Sequence, residues 1–314
     1  LGKYRYLPLV LTYHTQYEQY AHYTPVDSDL VKRWIINVCT SFCDLCDQVI
    51  APSRDLKQIL IERGVTTPIE VIPTGIDLSL YTPRQSAVLK RRLQLDEKMK
   101  ILVHVGRLGP EKNLEFLFRA VAKVLTRRPE LFFYVAGEGS STTALKELAR
   151  QLGMADRVCF EGRLDPAELA EAYAGGDLFV FTSKTETQGL VVLEAMAAGT
   201  PVVAVDAPGV RDMVEDGVEG ALTPEEEEIF AERILFLLDH PERLTACAQA
   251  CRIKAESFSA SRMAERMLQI YEGLRKIPRE KLNRQIHHFT IVKGLLQEAL
   301  RKEEGKGASP SGDE

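Results

Sequence analysis

Two glutamates, Glu186 and Glu194, bracket the turn in the segment TSKTETQGLVVLEAMAAGTPVVA. An apolar, strand-like run ends near Thr182, and after Gly189 the pattern becomes helical, starting near Leu190. A strand that passes through a glycine turn into a helix leaves the first helical amides without intrahelical partners. Those of Gln188, Gly189 and Leu190 then point outward, with Thr187 beside them, and form an anion site. Glu186 precedes the turn and Glu194 follows it on the helix, so two carboxylates surround a place that attracts negative charge. That combination suits a ligand carrying sugar hydroxyls next to a phosphate. Two solvated glutamates flanking a helix start would account for this segment equally well if it stood alone.

A second segment, VHVGRLGPEKN, sets Gly106, Arg107, Glu111, Lys112 and Asn113 directly after another apolar strand. In a parallel sheet this is the carboxyl edge, where ligands of α/β proteins bind. Arginine grips phosphate oxygens two at a time and lysine supplies a point charge, so the pair neutralises a diphosphate without a metal. The alternative is a capped loop with solvated basic residues, and two independent loops on one strand edge argue against it. In VAGEGS, Gly137 and Gly139 are followed by Thr142 where a dinucleotide fingerprint needs a third glycine. The spacing predicts a tight turn and no NAD site.

The run CTSFCDLC places Cys39, Cys43 and Cys46 within reach of a cluster-binding spacing. Iron–sulfur ligation, as in a radical enzyme, is one reading. The other is a helix face: Val31, Trp34, Ile35, Val38, Cys39, Phe42, Leu45, Cys46 and Val49 recur at steps of three and four. On that reading Cys39 and Cys46 lie on the buried stripe as small hydrophobes, with Cys43 on its flank.

The chain of 314 residues has room for two domains. With net charge −5, pI 5.8 and no basic block, it offers no nucleic-acid footprint. No apolar run is long enough to span a bilayer, and six unevenly spaced cysteines do not form a disulfide framework. Short apolar runs alternate with helical segments, which predicts parallel sheets covered by helices. Strands are expected near 8–13, 48–51 and 70–72, with helices near 28–47 and 53–63. PTGIDLSLYTP then marks a boundary. Beyond it, strands near 101–105, 132–136, 157–160, 178–181, 202–205 and 220–222 alternate with helices, as in a doubly wound sheet. The chain is helical from Pro224 to about Arg275. A further amphipathic segment follows Pro278, and EEGKGASPSGDE is expected to be disordered.

With GRLGPEKN, VAGEGS, RVCFEGRL, TSKTETQGLVVLEAMAAGTPVVA and FSASRMAERMLQIYEGL, the region from Val71 to Leu274 resembles the nucleotide-sugar domain of family 4 retaining glycosyltransferases. The resemblance implies an α/β chain of the GT-B type, with two Rossmann-like doubly wound domains, the first incomplete here. It implies a partial acceptor-side domain over 1–75, a nucleotide-sugar domain over 76–258, a helix over 259–277 crossing back to the first domain, and a helical extension with a disordered tail over 278–314. Carried over position by position, Arg107 and Lys112 after Gly106 hold the donor diphosphate. Glu186 contacts the donor sugar, Glu194 holds the ribose, and the base rests near Gly162 and Arg163. LPLVLTYHTQYEQYAHY is similar to the family's acceptor domain, where a histidine meets the donor sugar near the reacting carbon, and His14 takes that position.

The wording is most similar to the diacylglycerol glucosyltransferase branch, which moves glucose from UDP-glucose to a membrane lipid. The implied protein is a cytoplasmic hexosyltransferase, peripheral at the inner face of the membrane, with no metal and no cofactor besides its UDP-sugar donor. The acceptor is a lipid or, in other branches, a soluble sugar or a phosphatidylinositol. Against the family's usual length the chain lacks roughly the first hundred residues of an acceptor domain, and the start at Leu1 reads as cut. A UDP-sugar-binding fragment without transfer is therefore a rival reading, alongside the radical enzyme.

Overall fold

The computed structural model describes residues 7–18, 29–81 and 86–276. The second half of YHTQYEQYAHY and the expected extension and tail fall outside the described residues. The chain divides into two compact units, Leu1–Pro52 with Leu56–Ile72 and Met267–Glu314, and Ser53–Asp55 with Pro73–Arg266.

In the first unit, β1 (Val10–Thr12), β2 (Gln48–Ala51) and β3 (Ile69–Val71) form a parallel sheet in that order, with α1 (Asp29–Asp44) and α2 (Arg54–Glu62) as the intervening helices. Tyr13, Cys43, Val49, Leu56 and Leu60 make its core. Helix α1 is rotated relative to the stripe expected from sequence. Cys43, expected on the flank, is fully buried, whereas Trp34 and Phe42 are 49% and 51% exposed. Asp44 explains the rotation: its Oδ1 accepts the backbone N–H groups of Thr66 and Thr67 at 2.8 and 3.1 Å. The Thr67 hydroxyl also donates to the Cys43 carbonyl at 3.0 Å. With the last turn of α1 pinned this way, Cys43 must face the sheet and Phe42 must point away.

Burial pushes the Cys43 thiol up to about 12. Cys46 is buried as well and Cys39 partly so. Among the described residues no group of three or more His, Cys, Asp or Glu is arranged to hold a metal ion.

The second unit holds a six-stranded parallel sheet of β4 (Lys100–Val105), β5 (Leu131–Ala136), β6 (Val158–Gly162), β7 (Leu178–Phe181), β8 (Val202–Val205) and β9 (Gly220–Thr223). Its order is β6-β5-β4-β7-β8-β9. The central strands KILVHV, LFVF and VVAV are nearly continuous apolar runs because helices cover both faces. On one face α4 (Leu114–Arg127), α5 (Thr142–Gln151) and α8 (Glu227–Asp239) close a core around Leu117, Phe118, Val121, Phe133, Phe230 and Ile234. Helix α4 buries Leu114, Leu117, Phe118, Val121, Val124 and Leu125, the stripe its 3.6-residue period requires.

On the other face α3 (Ser86–Arg92), α6 (Pro166–Gly175) and α7 (Leu190–Ala197) enclose Leu89, Val103, Tyr173, Phe179, Leu193 and Met196. Asp165 starts α6 with a capping box, accepting from the N–H of Ala167 and Glu168 while Glu168 accepts from the Asp165 N–H. Helices α9 (Pro241–Glu256) and α10 (Ala260–Arg275) follow α8. No described helix is long and apolar enough to cross a membrane.

Candidate active site

The strand order reverses between β4 and β7, so the loops leaving these two neighbours diverge to opposite faces and open a crevice at their carboxyl ends. The loop after β4 is stitched to the loop after β5. Gly106 N–H donates to Ala136 O at 3.0 Å, Leu108 N–H to Glu138 O at 2.9 Å, and Ser141 N–H to Leu108 O at 2.9 Å. A Cβ at Gly137, where φ is +127°, would sit 1.9 Å from the Gly106 carbonyl oxygen, and one at Gly139 would sit 2.3 Å from that of Leu108. The glycines of VAGEGS therefore permit two loop backbones to touch, in the tight turn that the absent third glycine implied.

Residues Pro110–Lys112 form one 3-10 turn. Thr182, at the end of β7, fastens it: its hydroxyl lies 3.1 Å from both the Lys112 and the Asn113 carbonyl oxygens. Across this joint Lys112 Nζ lies 2.5 Å from Glu186 Oε1, with side chains only 15% and 17% exposed. Arg107 Nε pairs with Glu111 Oε1 at 3.0 Å, and half of the Arg107 side chain is open to solvent. Gly189, at φ 71°, caps the start of α7. Gln188 is buried, and its side-chain amide exchanges two hydrogen bonds with the backbone of Thr74, at 2.7 and 2.9 Å, which leaves its main chain as the part available to a ligand.

Glu194 sits on α7 with Oε2 2.8 Å from the hydroxyl of Tyr173. Gly162 accepts the Gly137 N–H at 2.7 Å beside an exposed Arg163, Thr187 is half-buried next to Glu186, and Leu190 is partly open. The second unit thus gathers Gly106, Arg107, Lys112, Glu186, Thr187, Gly189 and Glu194 at one strand edge. His14 belongs to the first unit, exposed directly after β1. A cavity of about 500 Å³ between α4 and α5 is lined by Pro110, Asn113, Leu114, Arg119, Ser141 and Leu148, among others, and by none of Arg107, Lys112, Glu186 or Glu194.

Three residues not singled out from sequence belong to this constellation. Tyr173 on α6 and Tyr81, just after a short 3-10 turn at Leu78–Leu80, both hydrogen-bond to Glu194. His104 lies fully buried within β4 with Nδ1 3.0 Å from the Val180 carbonyl, so Nδ1 carries the proton and Nε2 is an acceptor. Nε2 has no partner among the described residues. Burial pulls the His104 pKa down to about 4, Lys112 pushes the same way, and the Val180 hydrogen bond and Glu186 oppose it. A histidine inside an otherwise apolar strand was the signal available for it, while the tyrosines read as ordinary core positions.

This fold class is that of GT-B glycosyltransferases. At a TM-score of 0.74 and 26% identity, the chain resembles sucrose-phosphate synthase from Thermosynechococcus elongatus, over 85% of this chain and 68% of that one. It resembles the Anabaena protein HepE, solved in complex with UDP and glucose, equally well, over 85% of this chain and 72% of that one. The profile described as Glycosyl transferases group 1 matches residues 86–254, and the one described as Glycosyltransferase Family 4 matches residues 2–80. The chain belongs to the group 1 glycosyl transferase family.

Among its relatives, alpha-monoglucosyldiacylglycerol synthase of Streptococcus pneumoniae is 32% identical over 80% of this chain and 59% of its own length. D-inositol 3-phosphate glycosyltransferase of Thermobispora bispora is 34% identical over 75% and 58%. Sulfoquinovosyl transferase of Arabidopsis thaliana is 35% identical over 80% and 49%. The chain spans about half to three-fifths of the length of these curated relatives.

Proposed function

We propose that the second unit binds a UDP-hexose, with glucose as the sugar, and that the protein transfers the hexose with retention to the hydroxyl of diacylglycerol or a related membrane lipid. The observation that carries the reading is the Lys112–Glu186 pair, set beside the start of α7 at the point where the strand order reverses. A cation, helical amides and a carboxylate within one crevice fit a diphosphate joined to a sugar. Arg107 and Lys112 take the diphosphate, Glu186 the sugar and Glu194 the ribose, and the base lies against Gly162 and Arg163. The first unit, which carries His14, is assigned the acceptor side by its likeness to the family's acceptor domain. The name of the pneumococcal relative supports the lipid acceptor, and work on a membrane lipid would take place at a membrane surface.

In the reaction the acceptor oxygen approaches the anomeric carbon from the face the diphosphate leaves. The carbon–phosphate oxygen bond breaks, the new glycosidic bond forms, and the acceptor proton passes to the departing diphosphate. Lys112, Arg107 and the first amides of α7 stabilise the charge that develops there, so the chain's own cations and dipoles perform the task.

Calorimetry with UDP in the presence of EDTA tests the donor site, and binding that requires added Mg²⁺ or Mn²⁺ would contradict the metal-free assignment. Labelled UDP-glucose with vesicles containing diacylglycerol tests the transfer, and the anomeric proton coupling of the product reads retention. UDP binding with no transfer to any acceptor would favour the rival, a binding fragment.

A further inference from the structure

Among the described residues, Glu194 is the one carboxylate of the crevice held by neutral groups. Glu186 has Lys112 and Glu111 has Arg107, but the groups acting on Glu194 are the hydroxyls of Tyr173, from α6, and Tyr81, from the turn after Leu78–Leu80. Asp77 acts on Tyr81 only through its charge, and no lysine, arginine or histidine contributes among the described residues. Tyr173 is completely buried. Its ring packs edge-on against Phe179 at 5.7 Å and tilted against Tyr81 at 6.3 Å, so its hydroxyl is aimed by packing and not by a flexible stem. Burial raises both phenols above their ordinary range, and so each remains an O–H donor under all working conditions.

We propose that Tyr81 and Tyr173 are positioning residues that hold Glu194 ionised and oriented for the vicinal hydroxyls of a ribose. This rests on the donor-site reading above and adds to it the origin of ribose selectivity. An ionised carboxylate offers about four acceptor positions. Two phenols occupy two of them, and the two left match the two donors of a cis-diol. A protonated carboxyl would present a donor of its own and lose that match. Burial works toward protonation and raises the Glu194 pKa, while the two phenol hydrogen bonds work against it. Removing either phenol therefore leaves burial less opposed and moves the protonation of Glu194 to higher pH.

The test is calorimetric titration with UDP and 2′-deoxy-UDP between pH 5 and 8, on the wild-type chain and on Tyr81→Phe, Tyr173→Phe and Glu194→Gln. The wild type should prefer UDP by about tenfold or more, the worth of one hydrogen bond to a charged group. Each Tyr→Phe variant should bind UDP about three- to tenfold more weakly at pH 7. Each should also lose affinity on acidification at a higher pH than the wild type, and show a reduced preference over 2′-deoxy-UDP. Glu194→Gln should bind weakly with no acid limb from this group.

Phenylalanine variants with wild-type melting temperatures whose UDP affinity follows the wild-type pH profile would overturn the proposal. Tyr81→Phe, at a less buried site, decides the matter should Tyr173→Phe fail to fold. A wild-type chain that binds no UDP would refute the donor site itself. A wild type that binds UDP and is weakened by Glu194→Gln but by neither phenylalanine would refute the tyrosine roles alone.

Discussion

Replacing Glu186 by glutamine should tighten the binding of UDP, although Glu186 lies inside the crevice proposed to take the donor. Its Oε1 is 2.5 Å from Lys112 Nζ, with both side chains less than one-fifth exposed. At an effective dielectric of about 20, unit charges at this spacing attract by roughly 7 kcal/mol before desolvation. The net value of a charged hydrogen bond is about 1.5–3 kcal/mol. A diphosphate arriving at Lys112 must share the ammonium with Glu186 and sit close to a second negative charge. Removing that charge while keeping the shape should recover about 1 kcal/mol, a three- to tenfold fall in the Kd for UDP. Lys112→Met removes the cation itself and should weaken UDP by about 10- to 150-fold. With UDP-glucose the sign for Glu186→Gln should reverse, because the sugar hydroxyls lose one of the two side-chain oxygens that accept from them. Calorimetry with UDP on both variants and with UDP-glucose on Glu186→Gln checks all three outcomes. If Glu186→Gln and Lys112→Met weaken UDP alike, the pair is a clasp that shapes the loop, and Lys112 is not the phosphate grip.

Three further outcomes follow from the same structure. His104 has a folded-state pKa of about 4 against an ordinary 6.5, so the unfolded chain binds the extra proton between those values. Its contribution, about 3 kcal/mol, is fully present above pH 6.5 and lost as the pH falls through 4, and urea midpoints for His104→Phe should vary less over that window than those of the wild type. Gly137→Ala should lower the thermal midpoint and abolish UDP binding together, because its Cβ would meet the Gly106 carbonyl at 1.9 Å in a backbone conformation costing about 1–3 kcal/mol. Gly153→Ala, also at positive φ but with nothing within 4 Å, should bind UDP normally. Cys43, with its thiol pushed up to about 12 by burial, should resist a maleimide at pH 8 until denaturant is added, and anaerobically prepared protein should be colourless. Iron near one cluster per chain would sink the structural role of the cysteines.

How much of this could be read beforehand depended on whether a residue's partners are local. The six strands of the second unit were legible because burial on both faces forces uninterrupted apolar runs, and LFVF or VVAV admits little else between glycines and helical segments. That the two loops share one edge was legible because both follow apolar strands of a single parallel sheet. The facing of α1 was misread, since an apolar period sets a stripe only to within a residue or so. What decided it was Asp44 reaching Thr66 and Thr67, a contact across more than twenty residues.

The same reasoning separates Glu186 from Glu194. Both stand out in one short segment, yet one is paired with a lysine while the other is held by two phenols, one from α6 and one from beside the turn at Leu78–Leu80. Spacing alone makes them a symmetric pair of carboxylates. Tertiary structure makes them unlike, with Glu186 screened by charge and Glu194 held by neutral donors in a buried place. Salt should therefore distinguish them: raising ionic strength weakens the partly exposed ion pair more than hydrogen bonds from neutral groups. The gain in UDP affinity from Glu186→Gln should shrink between low and high salt, and the loss from Tyr173→Phe should not. Equal salt dependence of the two effects would mean that both carboxylates act only through the net charge of the crevice.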